Sequence, residues 1–275
     1  MTHYTVLGAG GYLGGHMARY LRQRGEAVRT PARDAPEIFV EELGRVIYCV
    51  GLTGDFIDRP LDTVDAHVGL LTALLRRARL SSLVYLSSTR LYDSTAGLAH
   101  EDATLVLDPR DRRHIYDLSK ATGEALCHAF PHRQLVIARL SSVFDDALGN
   151  DTFLNETCRK ALELPAFEVE TSPEIERDYI HVDDVCAALF ALSQSPRHRV
   201  YNVASGVNLS NRALIELVGR ETGCTITLRE RPADRSVPRI DVTRLGEEFQ
   251  IFPAPPQPRL AALLARHRRQ TGTPT

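Results

Sequence analysis

The sequence has almost no net charge, no long apolar run, no internal repeat and no cysteines at metal-ligand spacing. Lys and Arg total 33 against 35 Asp and Glu, a balance of −2, so the chain exerts no global pull on nucleic acid or on a membrane surface. Its apolar runs fall far short of the roughly 20 residues a membrane span needs. No signal-peptide pattern opens the chain, because a strand-like run is under way by residue 3. Cys49, Cys127, Cys158, Cys186 and Cys224 are scattered among mostly apolar neighbours. That pattern suits reduced, partly buried thiols and a cytoplasmic setting. With 43% hydrophobic residues over 275 positions, the chain can bury about 75% of its unfolded surface.

Against these absences, two patterns stand out. The first is Tyr116 and Lys120, four residues apart and so on one helical face. A free Tyr has a pKa of about 10, too high for a base at neutral pH, and a neighbouring ammonium is expected to lower it. About thirty residues upstream, the hydroxyl-rich turn Ser87-Ser88-Thr89 closes an apolar run. Ser88 there can hold an oxygen whose proton Tyr116 exchanges, which makes a carbonyl/alcohol redox site. The second pattern is a short β-prone run, residues 3–7, followed at once by Gly8, Gly11 and Gly14 and then by a helical pattern ending near Gly25. Strand, glycine turn and helix start together form a dinucleotide-phosphate site, with the backbone of Tyr12 and Leu13 at the helix N-terminus.

Short apolar strands are expected at 2–7, 26–30, 45–50, 82–87 and 134–140, alternating with helices near 12–24, 62–79 and 113–130. This alternation predicts an α/β fold, a doubly wound parallel sheet with its ligand at the strand C-termini. Residues 253–258 are read as a stiff Pro-rich linker to a solvated last helix, 259–269. Asp178, His181, Asp183 and Asp184 cluster, but they are read as structural rather than as a metal site, with Asp183 as the N-cap of a helix over 185–192.

Six segments in order resemble the extended short-chain dehydrogenase/reductases, the NAD(P)-dependent nucleotide-sugar epimerase/dehydratase family. They are the glycine turn, Leu83 to Tyr92, Tyr116 to Glu124, Ile137 to Phe144, Arg177 to Val185, and Tyr201 to Gly206. The resemblance implies a Rossmann core over 1–145, to which 183–203 returns, and a smaller C-terminal substrate lobe within 146–275. It implies Ser88, Tyr116 and Lys120 as catalytic residues. Gly8, Gly11, Tyr12, Leu13, Gly14, Gly51, Tyr116 and Lys120 would bind cofactor, and Ser88, Thr89, Ser142 and Arg177 would bind a nucleotide sugar. Arg177 would meet its diphosphate. A homodimer through helices 62–79 and 113–130 is also implied.

Departures from the family carry information. The usual ribose-binding acid at the end of the second strand is missing from Thr30 to Ala32, and Arg33 follows, which tilts the cofactor from NAD toward NADP; Asp34 in a displaced turn is the alternative. Only about fifteen residues separate the second and third strands, too few for a full strand–helix unit, so the usual acidic contact to the adenine is expected to be lost or replaced. Gly51-Leu52 stands where relatives have a small Ala-Ala pair. His67 and Ser142 each replace an Asn, and Asp145 replaces a Gly. After Ser88 come Thr89 and Arg90, not the acid–base pair of the 4,6-dehydratases, so an epimerase or ketoreductase is expected. A non-catalytic NAD(P)-binding sensor or scaffold, and a reductase of a non-sugar ketone, are the alternatives.

Overall fold

In a computed structural model, which describes residues 3–95, 97–232 and 237–270, six parallel strands form the central sheet. Across the sheet they run Val200–Val203, Leu135–Leu140, Ser82–Ser88, Arg45–Tyr48, Tyr4–Leu7 and Val28–Arg29. The middle strands are buried on both faces, as parallel strands under helices must be. Their side chains alternate between two cores. Val84 and Leu86 pack with Met17, Leu21 and Leu189 on one face. Leu83 and Tyr85 pack with Leu71, Leu74 and Cys127 on the other. The helices Tyr12–Gln23 and Val182–Leu192 cover the first face, and Leu70–Arg77 and His114–His128 the second. The expected α/β, doubly wound parallel fold is therefore present.

The edge differs from the expectation in a specific way. The second strand is only Val28–Arg29, and a four-residue helix, Glu37–Val40, is all that separates it from Arg45. The chain returns past Tyr4–Leu7 to pair Arg45–Tyr48 on that strand's other side, so the sheet ends at Val28–Arg29.

The expected helix 62–79 is also not uniform. It begins as Pro60–Val64, widens to one π turn over Asp65–Gly69, and resumes as Leu70–Arg77. A π turn displaces backbone carbonyls from their usual partners. Here the Tyr48 hydroxyl donates to the Ala66 carbonyl at 2.7 Å and Tyr85 to that of His67 at 3.2 Å.

Beyond the sheet, Ser142–Phe144, Glu176–His181 and Asn208–Ser210 form a three-stranded sheet, and Ala166–Thr171 pairs in parallel with Thr225–Glu230. The core of this region gathers Phe144, Leu154, Tyr179, Leu214 and Leu217. Into it the last helix sends Leu260, Leu263 and Leu264, all fully buried, so that helix is a packed wall of the lobe rather than a solvated tail. It also starts earlier than expected, at Pro256. Proline lacks the N–H that a first helical turn cannot satisfy anyway, so part of the supposed linker is helix. His181, not Asp183, caps Val182–Leu192: its Nδ1 accepts the Asp183 N–H at 3.2 Å. The helix starts directly at the strand end, which moves Asp183 and Asp184 into the first turn, where carboxylates suit the dipole. Residue 2, expected in the first strand, and 233–236 and 271–275, assigned to the lobe, lie outside the described residues. Among the described residues no helix is long and apolar enough to cross a membrane, and no group of three or more His, Cys, Asp or Glu is arranged around a metal position.

Candidate active site

At Gly8 and Gly14 the glycine turn is held by contacts that leave no room for a side chain. Gly8 has φ of +83°, and a Cβ there would lie 2.9 Å from the Cys49 carbonyl. A Cβ on Gly14 would lie 2.2 Å from the Gly8 oxygen. The Gly11 N–H closes the turn onto that same oxygen at 3.0 Å. Tyr12–Gln23 then begins with no acid in its first turn and, unlike the helices that Thr152 and Ser210 cap, with no side-chain cap. Its leading N–H groups, those of Tyr12 and Leu13 among them, are left for an anion. The ring of Tyr12 turns away to His16, centroids 5.1 Å apart, and burial beside Asp145 pushes its phenol up. Asp145 also holds His16 at 3.2 Å and the Gly149 N–H at 2.9 Å, which ties the 145–149 loop to the helix behind the glycine turn.

Ser88, Tyr116, Lys120 and Gly51 come together at the C-terminal side of the central strands. Ser88 ends its strand, and its hydroxyl favours ionisation of the Tyr116 phenol. Tyr116 and Lys120 share a buried face of His114–His128. The Lys120 ammonium donates to the Leu86 carbonyl at 2.8 Å and stands 5.9 Å from the Tyr116 ring centroid. A Cβ at residue 51 would lie 3.5 Å from Lys120 Nζ and 3.4 Å from His67 Nε2, so this backbone position faces both side chains.

The electrostatics differ from the expectation of a lysine-lowered phenol. Burial raises the Tyr116 pKa, and the forces that oppose it are the Ser88 hydrogen bond and the charge of Arg90. Burial also lowers Lys120 to about 7, so its ammonium is only partly charged at neutral pH. In this state Tyr116 is a protonated phenol.

Two further residues line the cluster. His67, fully buried in the π turn, presents its ring edge-on to Tyr116 at 5.1 Å. Ser119 gives its one hydroxyl proton to the Tyr116 carbonyl at 2.8 Å, so it accepts from His67 Nδ1 at 2.7 Å. Nε2 is then the lone-pair nitrogen and accepts the Leu52 N–H at 3.4 Å. Burial, and then Lys120, lower the His67 pKa to about 2, so the ring is neutral. Arg90 folds back over the site, its guanidinium carbon 5.0 Å from the Tyr116 ring and 4.9 Å from that of Phe56. The sequence singled out His67 only as a substitution, and Arg90 only as the absence of an acid.

Beneath Ser88 lies a buried polar network. Ser87 donates to Glu124 at 2.5 Å, Arg139 forks onto both Glu124 oxygens at 2.9 and 2.6 Å, and it also donates to the Tyr92 hydroxyl at 2.6 Å. Tyr92 passes its proton to Asn202 at 2.8 Å. Every charge here is compensated, which is the condition for a buried ion pair to be tolerated.

The remaining sequence candidates lie around this centre. Thr89 opens the turn after Ser88 and is half-buried. Ser142 and Arg177 sit on adjacent strands of the three-stranded sheet, Ser142 paired with Tyr179. The Arg177 Nε is buried with no hydrogen-bond partner among the described residues. Arg33 does not join the cluster: it is exposed at the sheet edge and bonded to Asp65 at 2.6 Å.

Comparison with known proteins agrees with this architecture. Over residues 4–204 the chain matches the model of the NAD dependent epimerase/dehydratase family. It is 24% identical to dTDP-4-dehydro-6-deoxy-D-allose reductase of Streptomyces bikiniensis, across 91% of each chain. It is 26% identical to GDP-6-deoxy-D-mannose reductase of Pseudomonas aeruginosa, across 83% of each. MoeE5 in complex with UDP-glucose and NAD superposes with a TM-score of 0.82 at 19% identity, covering 98% of this chain and 100% of that one. RMD from Pseudomonas aeruginosa complexed with NADPH gives 0.78 at 23%, again over 98% and 100%. By that match over residues 4–204, most of its length, the chain belongs to the NAD dependent epimerase/dehydratase family, among the extended short-chain dehydrogenase/reductases.

Proposed function

We propose that this protein reduces a keto-sugar carried on a nucleoside diphosphate, using NADH or NADPH. The observation that carries the reading is the Ser88–Tyr116–Lys120 cluster, buried beside Gly51 and opening from the same sheet end as an uncapped, glycine-led helix. The glycine cradle and free helix N–H groups suit a dinucleotide pyrophosphate. A nicotinamide bound there supplies the hydride.

The protein groups do the rest. Ser88 holds the sugar carbonyl oxygen by a hydrogen bond. Tyr116, kept protonated by burial, gives its proton to that oxygen as it becomes a hydroxyl. Lys120, poised near neutrality, supports the phenolate that remains. Arg177, which has no ion-pair partner among the described residues and a buried unpartnered Nε, takes the diphosphate, with Ser142 and Thr89 on the sugar side. The lobe within 146–275 is then the substrate-binding part. The proposed homodimer contact runs through the helices near 62–79 and 113–130, the first of which exposes Val64. Epimerisation is the second reading, because it needs the same groups and the chain is 25% identical to UDP-glucose 4-epimerase of Mycoplasma genitalium over 71% of its length.

The test is an assay with dTDP-, GDP- and UDP-linked keto-sugars and both reduced dinucleotides. Oxidation of the dinucleotide by at least one of them is expected, with inhibition by the matching free nucleoside diphosphate that Arg177→Ala weakens. Sugar epimers formed without net dinucleotide oxidation would select the second reading. No turnover of either kind overturns both.

A further inference from the structure

We propose that Arg90 is a positioning residue for Tyr116, a guanidinium anchored on Asp117 and placed over the phenol ring, 5.0 Å from its centre, so that a cation faces the tyrosine as it exchanges its proton. This deepens the reading of Tyr116 as the proton-exchanging group. The geometry is specific. The turn Thr89–Tyr92 starts with the Arg90 N–H bonded to Ser88 Oγ at 3.2 Å, which sends the side chain back over the helix that carries Tyr116. There the guanidinium forks onto Asp117, Nε to Oδ1 at 3.2 Å and Nη2 to Oδ2 at 3.3 Å. Asp117 is buried and immediately follows Tyr116, so it fixes where the cation can sit. Phe56 closes the stack, its ring 5.3 Å from that of Tyr116. A planar guanidinium suits such a stacked site, where a lysine ammonium has no flat face to offer.

The charges that surround Tyr116 leave Arg90 the principal cation. On its own helix are Asp117 and Lys120. The Lys120 ammonium is engaged by the Leu86 carbonyl, and burial lowers it to about 7. From the π turn comes His67, which is neutral. The central strand contributes the Ser88 hydroxyl and the Tyr85 phenol, whose own pKa burial raises. Arg90 keeps its charge at every accessible pH. Its charge favours the phenolate, and that of Asp117 opposes it. The pair therefore works with opposite signs on one phenol, and a merely structural ion pair would not.

The test is a pH titration of the Tyr116 signal in full-length protein isotope-labelled at the tyrosine phenol carbon, with Tyr116→Phe assigning the resonance. Arg90→Met should raise the Tyr116 pKa by roughly one unit or more, and Asp117→Asn should lower it. Arg90→Lys keeps the charge and should stay within about half a unit of the parent. Where Arg90→Met does not fold, the order of parent, Arg90→Lys and Asp117→Asn still decides. An Arg90→Met signal that titrates at or below the parent, or an Asp117→Asn signal that does not move, overturns the proposal. The titration needs no substrate, so an enzyme that turns over no sugar nucleotide would still answer it.

Discussion

At the centre of the sheet, Ser82–Ser88 is buried at all seven positions, while the edge strand Val28–Arg29 has two residues, both half-buried. The same contrast holds for charge. Below Ser88 the Glu124–Arg139 pair is enclosed and satisfied on every side. At the edge, Arg29 meets Glu41 and Arg33 meets Asp65 at the solvent-facing surface, where ion pairs contribute about 0–1 kcal/mol. The centre is thus preorganised, because moving one group there strands another in a low-dielectric interior. The edge is adjustable, because its charges can change partners at little cost. We read the proposed chemistry as belonging to the first region and cofactor discrimination to the second, and four substitutions separate them.

The largest effect is expected at the centre. Tyr116→Phe removes one oxygen from a site whose other groups are held by backbone and Ser119, so the fold should survive. Turnover should fall by roughly a thousandfold. Dinucleotide affinity, measured by fluorescence quenching, should stay near the parent value. Loss of both together would mean that the tyrosine holds the site up rather than acts in it.

The second substitution compares a buried neutral histidine with its replacement. His67 has its pKa lowered to about 2 in the folded chain, against about 6.5 when unfolded. Between those values the unfolded chain binds a proton that the folded chain refuses, so stability falls as the pH drops. From pH 6.5 to 5 this one group should cost about 2 kcal/mol. In His67→Asn that share of the acid sensitivity should vanish, read as a flatter fall in urea-unfolding free energy over the same range. Asp178 and His181 also titrate unusually but are common to both proteins. Parallel pH profiles would show that the imidazole takes up its proton without leaving the fold.

The same contrast governs what could be read from the residues alone. Strands such as 82–88 and 135–140 were legible because a strand buried on both faces has to be apolar throughout, and turns with three glycines betray close approach directly. The Tyr116–Lys120 face followed from helical spacing. What escaped depends on contacts distant in sequence. Nothing in Asp65-Ala66-His67 signals a π turn, since it is stabilised by Tyr48 and Tyr85 hydroxyls from two separate strands. The fold-back of Arg90 depends on Asp117, 27 residues later. Spacing brings Tyr116 and Lys120 near each other, but burial, which spacing does not show, raises the phenol and lowers the ammonium.

The smallest effect is expected at the edge, and it tests whether that region chooses the cofactor. Neither Thr30 nor Ala32 offers a carboxylate for a ribose, and Arg33 follows them. A 2′-phosphate would have to draw this guanidinium from Asp65, which already holds it at 2.6 Å. Both partners are exposed, so the exchange costs little, and by the same token the gain is small. Arg33→Ala should therefore weaken NADPH binding by about threefold to tenfold and leave NADH unchanged, since an interaction with phosphate at an exposed site amounts to roughly 1 kcal/mol. Asp65→Asn should act in the opposite direction by freeing the guanidinium. If Arg33→Ala shifts both dinucleotides equally, the edge contributes to binding without discriminating, and the preference for NADP loses its physical basis.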